Sequence, residues 1–476
     1  MAHIVVLGAG MVGLSTALLL ARDGHRVTVL ERNGSRPPGD PAAAWTSWDR
    51  PGVKQFRQLH VMLPRWHREM CGELPDVVDE LVLAGGRRVN VLHLLPVART
   101  GPWRAGDERF DMVTARRPVL EAVLAAVAGR DPRITVHRGV AVTGLLIDAE
   151  SPAGVPRVIG VRTGSSGTSA DLVVDATGRR SAIPRMLAAV GARTAPQAQE
   201  GSGFVYYARH LRSPDGALPE LREPLLTHYH SMSVLTLPAD NDTWGIGLVC
   251  SARDRAARAL YDDRIFDRVW RMFPAHAHWL DGTPIGPMQS FGGFGDRVRA
   301  FADDAGPLAT GLVPVGDAWA CVNPALGRGA SIGLVQARVL RDVLRETDPG
   351  QPVDLVRRFH EATTTDVLPL VQATIGFGRH RSAEVFAEVA GRPYVTDDPG
   401  WAMAGALYAA SRVHPDAARA QQDLGSLLAL PPEVFTRPGL WDVVRTYAAG
   451  APRHPVPGPD RADLVRALRV DLRRSA

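Results

Sequence analysis

"HIVVLGAGMVGLSTALLLARDGHRVTVLER", residues 3–32, reads as strand, turn, helix, strand. Ile4 to Leu7 is a continuous apolar run, the pattern of a parallel strand covered on both faces. Gly8, Gly10 and Gly13 then give G-x-G-x-x-G. The first glycine permits a tight turn. The second lets backbone approach a pyrophosphate, and the third lets the helix lie close to the strand. The helix N-terminus directs free N–H groups and the positive end of its dipole at phosphate. A second strand runs from Arg26 to Leu30 and ends at Glu31, placed to accept hydrogen bonds from ribose hydroxyls, with Arg32 beside it. An ordinary strand–helix–strand unit needs neither three glycines at this spacing nor the acid. The segment is therefore expected to hold an adenine dinucleotide. Glu31 alone does not choose between NAD and FAD.

Positions 4–21 carry no charge, a length that would suit a membrane span or a signal segment. No basic stretch precedes them and glycines interrupt them. Neither a targeting segment nor a transmembrane helix is expected.

The bulk properties agree with a globular chain. It has 476 residues, 45% hydrophobic and 22% charged, and at roughly 150 residues per domain this predicts about three domains or one interleaved unit. The formal charge is +5, but Lys54 is the only lysine and the arginines alternate with acids along the chain. That is a compositional bias, not a basic face, so no nucleic-acid partner is expected. Three separated cysteines, Cys71, Cys250 and Cys321, offer no disulfide framework and no metal spacing, and suit a reducing cytoplasm.

Two later segments repeat the logic of a ligand at a strand end. "DLVVDATGRRS", residues 171–181, is a short buried strand followed by Asp175, Thr177 and Gly178. "VPVGDAWACVNPALGRG", residues 313–329, continues a strand into Gly316-Asp317, then a loop from Pro324 through Gly327, Arg328 and Gly329 into a helix. A carboxylate there can hold a chain of sugar-like hydroxyls. The loop amides and helix start can face an electron-rich heteroatom. Three strand ends on one sheet suit an extended cofactor such as FAD better than NAD, and no second G-x-G-x-x-G is visible for a nicotinamide domain.

With "GAGMVG…LER", "DLVVDATG" and "VGDAWACVNPALGRG" spanning residues 1–340, the chain resembles the flavoprotein monooxygenases of the para-hydroxybenzoate hydroxylase fold. More narrowly it resembles their squalene-epoxidase-like and polyether-epoxidase-like bacterial branch. The resemblance implies that Glu31 holds the adenosine ribose and Asp317 the ribitol, with the Pro324, Gly327, Arg328 and Gly329 loop beside the isoalloxazine. "TARRPVLEAVL" is similar to the family's Arg-x-x-Leu helix start and would put Arg117 on the pyrophosphate. "RPGVKQFRQLH" is similar to a G-V-x-Q-x-R-x-x-H element that would put Gln55 and Arg57 near the flavin. One departure stands out. The family's second motif carries Asp before its glycine and this chain has Thr177, which weakens any transfer of that acid's role in NAD(P)H binding.

The fold expected is α/β. A Rossmann-like FAD-binding unit (residues 1–80, 112–185 and 301–345) is interleaved with an α+β substrate unit (81–111 and 186–300) carrying a mixed or antiparallel sheet. A C-terminal helical region (346–476) follows. "SMSVLTLPADNDTWGIGLVC", residues 231–250, reads as two strands around a polar turn, a wall for substrate. Tyr207 and His210 are the substrate-side candidates, against the plainer alternative of a half-buried sheet with polar tips. His228 and His230 share a strand face, but with no third ligand they make no metal site. "DRADLVRALRVDLRR" puts Leu464, Leu468 and Leu472 on one helical stripe, expected to dock on its own chain.

The resemblance implies a monooxygenase in which NAD(P)H reduces FAD and dioxygen reacts through a flavin C4a-(hydro)peroxide. The product is hydroxylation or epoxidation of a largely apolar small molecule, in secondary metabolism. The cofactor then carries the chemistry, consistent with the lack of a visible triad or carboxylate pair. A flavin-dependent reductase or dehydrogenase of an isoprenoid-like substrate is the alternative. A halogenase is disfavoured because "WTSWDR" has the wrong tryptophan spacing and Lys54 the wrong context. A non-catalytic flavin-binding interaction protein is the remaining reading.

Overall fold

The computed structural model describes residues 1–194, 197–201, 203–293 and 295–469. Its centre is a five-stranded parallel sheet. In chain order the strands are β1 (His3–Leu7), β2 (Arg26–Glu31), β3 (Ile134–Arg138), β4 (Leu172–Asp175) and a later strand, Leu312–Pro314. In space the order runs Leu312–Pro314, β4, β1, β2, β3. Val5 pairs with Thr28 on one side and Val173 on the other, so every carboxyl end points the same way. Helix α1 (Met11–Arg22) crosses from β1 to β2, and α2 (Arg117–Arg130) precedes β3. Ile4, Val6, Val27, Val29, Leu172 and Val174 are buried in the main core with the inner faces of these helices. Continuous apolar runs become central parallel strands here because both sheet faces are covered.

The second sheet is antiparallel. Its main strands are β5 (Phe204–Arg212), β6 (Leu226–His228), β7 (Met232–Pro238) and β8 (Thr243–Ser251), in the order β6, β7, β8, β5. The expected pair of strands around a polar turn is β7 and β8, with Asn241 and Asp242 at positive φ in the turn. Alternation along β5 decides what faces what. Tyr207 and Leu211 join a core with Leu248, Cys250 and the helix Asp263–Trp270. Phe204 and Tyr206 join Leu235, Leu237 and Val249 on the other face. A smaller sheet ties Gln197–Gly201 and Gly295–Arg299 to Ala320–Cys321, so the segment after Asp317 is bound into it.

Numbering the Leu312–Pro314 strand β9, helix α3 (Gly329–Glu346) follows it. After α3 the described chain is almost wholly helical, including α4 (Leu368–Val389), α5 (Pro399–Ala410) and α6 (Pro415–Gly425). The last helix, Arg461–Ala467, docks on its own chain. Leu464 and Leu468 are buried in the core beneath the antiparallel sheet, and Arg461 pairs with Asp254 at 2.6 Å. Leu472 lies outside the described residues. No described helix is long and apolar enough to cross a membrane.

Candidate functional site

The carboxyl edge of the parallel sheet collects the glycine turn, Glu31 and Asp317. Gly8 has φ +100°, and a Cβ there would lie 2.7 Å from the Ala176 carbonyl oxygen. A Cβ at Gly13 would collide with the Gly8 carbonyl. Gly10 is different: a Cβ there would meet nothing within 4 Å. The first and third glycines are thus demanded by packing, and the second borders open space. Helix α1 begins there with no side-chain cap, so its first N–H groups are free for an anion.

Glu31 is 5% exposed at the end of β2. Its carboxylate accepts from the Ala9 amide (2.9 Å), the Asn33 amide (2.8 Å) and Arg50 Nη2 (2.6 Å). Arg50 also donates to Glu121, and Arg117 Nε donates to the other oxygen of Glu121 at 2.7 Å. Arg117 Nη1 lies 3.3 Å from His60 Nε2. Burial opposes the Arg50 charge, but Glu121 and Glu31 outweigh it and raise its pKa. Burial and the neighbouring Arg117 hold His60 neutral, with a pKa near 3. The sequence reading singled out Glu31 and Arg117 for the cofactor and gave no role to Arg50, His60 and Glu121, which join them into one buried relay of charge. The available signal was Glu121 itself, an acid in the apolar face of "RPVLEAVLAAVAGR".

Asp317 sits in the turn after β9, on the single-turn helix Gly316–Ala318. Among the described residues no donor reaches its carboxylate. Burial raises its pKa, against the pull of Arg117, Arg179 and Arg297. An inward carboxylate without a donor is a ready acceptor for ligand hydroxyls. Gly329 at the start of α3 is its neighbour, since a Cβ there would come within 3.8 Å of Asp317 Oδ1. Helix α3 lies close on α1, where a Cβ at Gly333 would be 2.5 Å from Val12 Cγ2. Two uncapped helix starts therefore flank Asp317.

The second motif behaves differently. Asp175 is 1% exposed and turned into its own loop, accepting from the Thr177 amide (3.0 Å), the Thr177 hydroxyl (2.5 Å) and the Ser181 hydroxyl. It braces the turn instead of reaching out of it.

The remaining sequence candidates divide. In the Pro324–Gly327 loop, Tyr206 donates to Asn323 and accepts from the Ala325 amide at 3.0 Å. Gly327 has φ +66°, and any side chain there would strike Val61. Arg328 does not point back at this loop. Its guanidinium donates to Thr374 Oγ1 (3.2 Å) on α4 and to the Leu424 carbonyl (2.9 Å) on α6. Arg57 donates to the Trp45 and Trp48 carbonyls and lies 5.3 Å over the Trp45 ring, bracing that segment. Gln55 is half-buried, and Arg32 is exposed beside Gly52. His210 lies 4.6 Å from the Trp45 ring, in a small cavity with Arg57 and Gln289. Tyr207 is a correction. It lies on the far face of β5 among core residues, and burial pushes its pKa to about 12. The tyrosine that touches the loop is its neighbour Tyr206. Among the described residues no three His, Cys, Asp or Glu side chains are grouped so as to hold a metal ion.

A cavity of about 750 Å³ opens on the other side of this loop. Ala325 and Leu326 form one wall, Leu226, Leu235 and Leu237 of the antiparallel sheet another, and Phe377, Trp401 and Phe435 of the C-terminal helices the third. The sequence reading assigned those helices no part in a site.

The comparisons with known proteins fit this geometry. A family model described as FAD dependent oxidoreductase (DAO) matches residues 3–336. The chain belongs to that family. Protein Rv3254 of Mycobacterium tuberculosis is 28% identical over 393 residues, 77% of this chain and 78% of that one. Among solved structures, PqsL of Pseudomonas aeruginosa, described as a probable FAD-dependent monooxygenase, superposes with a TM-score of 0.54. It is 18% identical and covers 81% of this chain and 99% of its own. A flavoprotein/dehydrogenase from Cytophaga hutchinsonii gives 0.59 at 15% identity, covering 94% and 99%. The flavin-dependent halogenase CmlS gives 0.57 at 16%, covering 90% and 76%. These likenesses are of fold, shared by three chemistries. The protein is a FAD-dependent oxidoreductase. The residues present fit FAD: a glycine edge open to a pyrophosphate, two free helix starts, and a donorless carboxylate between them.

Proposed function

We propose that this oxidoreductase is a monooxygenase of the para-hydroxybenzoate hydroxylase type. It uses NAD(P)H and dioxygen to hydroxylate or epoxidise a largely apolar small molecule. The observation that carries this reading is the large apolar cavity that begins at Ala325 and Leu326 of the cofactor loop. Bound FAD supplies electron transfer and oxygen activation. The chain's own residues do the rest. The glycine turn and the start of α1 take the pyrophosphate, Glu31 a ribose, and Asp317 the ribitol hydroxyls. Tyr206 holds the Pro324–Gly327 loop in place through Asn323 and the Ala325 amide. Leu235, Leu237 and Phe377 exclude water from the space where substrate lies, and a dry site favours oxygen transfer over loss to solvent.

The halogenase reading lacks its lysine, since Lys54 is exposed. The test is incubation of the FAD-loaded protein with NADH or NADPH and a panel of polycyclic and polyene substrates under labelled dioxygen. One labelled oxygen atom in the product is the expected result. Saturation or desaturation of a double bond without label would replace this reading with the reductase or dehydrogenase one.

A further inference from the structure

The cavity beside the cofactor loop is apolar, yet one of its walls is a cation with no counter-charge. Arg328 lines it at the junction of the loop with α4 and α6. Both acceptors that hold its guanidinium, the Thr374 hydroxyl and the Leu424 carbonyl, are neutral. No carboxylate among the described residues comes within ion-pair distance of it. Its Nε is buried and has no acceptor. Three other lining arginines contrast with it. Arg99 pairs with Glu223 at 3.0 Å, while Arg381 and Arg453 share Glu384 at 2.5 Å and 3.2 Å. The protein therefore neutralises these three cavity cations with its own acids and leaves Arg328 unneutralised.

An uncompensated charge in an apolar site is costly unless something that binds there supplies its partner. A guanidinium has five N–H donors; two are used here and the Nε one is buried, which leaves one on Nη1 and one on Nη2 for a ligand. Its planar edge matches a carboxylate with two parallel hydrogen bonds. A single guanidinium balances one negative charge, so a monoanion suits the cavity and a phosphate dianion does not. Building on the oxygenase reading above, we infer that the substrate is an amphiphile: a large apolar body that fills the cavity, with one carboxylate held by Arg328. Burial lowers the Arg328 pKa to about 10, which keeps the side chain charged at neutral pH. Arg328 adjoins Gly327 of the cofactor loop. Anchoring the acid there fixes which end of the substrate lies nearest that loop, and hence the position attacked.

The probe is fluorescent pyrenebutyrate, titrated into the FAD-loaded protein alongside its methyl ester and the neutral pyrenebutanol. The expected result is that the acid binds at least about tenfold more tightly than either neutral analogue, the scale of a hydrogen-bonded charge pair. In Arg328→Gln the acid should lose about that factor while the ester is unchanged. Equal affinities of acid and ester for the wild type would overturn the inference without any variant, which keeps it testable if Arg328→Gln does not fold. So would an equal loss for both ligands in the variant, which would assign Arg328 to bracing α4 and α6. The two proposals also fail separately. Acid preference without labelled product removes the oxygenase reading alone, and labelled product without acid preference removes only this one.

Discussion

The sheet edge and the cavity beside it are built by opposite strategies. The edge is made of contiguous motifs whose spacing is dictated by close approach of backbone to backbone and to ligand. The cavity is made of faces of the antiparallel sheet, the Pro324–Gly327 loop and several C-terminal helices, such as Leu235 and Leu237 on one strand and Phe377, Arg381 and Glu384 on one helix, brought together from distant parts of the chain. At the edge one atom too many is decisive. In the cavity, face and phase along an element decide, and identity is freer. The FAD edge is therefore exacting and the cavity tolerant of change, as expected when one fold serves several chemistries.

The sharpest test of the edge lies within the three glycines. Gly13→Ala drives a Cβ into the Gly8 carbonyl and should destabilise the protein by more than about 3 kcal/mol. Gly10→Ala has free space around its Cβ and ordinary backbone angles, so the flavin-free protein should keep its stability to within about 0.5 kcal/mol. It should nevertheless lose flavin affinity. Urea unfolding of both apo-variants and a flavin titration of Gly10→Ala separate packing from binding. Equal destabilisation by the two substitutions would break the distinction.

The buried relay comes next. Glu121 has no exposed surface and compensates both Arg50 and Arg117. Glu121→Ala leaves two buried guanidinium groups with less counter-charge and should cost about 3–5 kcal/mol. A loss under about 1 kcal/mol in urea unfolding would mean that water or Glu31 takes over, and the relay would be incidental.

His210, on the antiparallel sheet against Trp45, gives the next test. Burial, followed by Arg116, depresses its pKa from 6.5 to about 3. Between those values the unfolded chain binds a proton that the native state refuses. Stability therefore rises with pH across that window and is lost as pH falls through it. By about pH 5 the loss from this one group is roughly 2 kcal/mol. His210→Leu should lower the pH 7 to pH 5 loss by about that amount. An unchanged pH slope would place His210 in contact with solvent.

What could be read from the chain follows the same division. Gly8, Gly10, Gly13, Glu31 and Asp317 announced themselves because their chemistry is local: a turn, a helix start and an acid at a fixed spacing. Arg50 was hidden because its partners lie 19 and 71 residues away and arginine is everywhere in this chain. The C-terminal helices were recognised as helices, but nothing in a 3.6-residue period tells which of several cores a face will cover. Arg328 was placed by motif in the cofactor loop, yet its long side chain carries the charge across to α4 and α6.

The smallest expected effect tests the phase of one strand. Tyr206 and Tyr207 are adjacent and both buried, so composition and hydropathy could not choose between them. The pleat sends them to opposite faces. Tyr206→Phe removes an acceptor from the Ala325 amide and a donor to Asn323, and should cost about 1–2 kcal/mol with weaker flavin retention. Tyr207→Phe keeps the ring in its core and, among the described residues, removes no hydrogen bond, so stability and flavin binding should stay within about 0.5 kcal/mol of wild type. If the two variants cost the same, the Pro324–Gly327 loop is held by Asn323 alone, which also accepts from the Ala325 amide at 3.0 Å. If only Tyr206→Phe loosens the flavin, one hydroxyl on the antiparallel sheet sets the Pro324–Gly327 loop. The exacting edge and the tolerant cavity then meet at a single hydrogen-bonded contact.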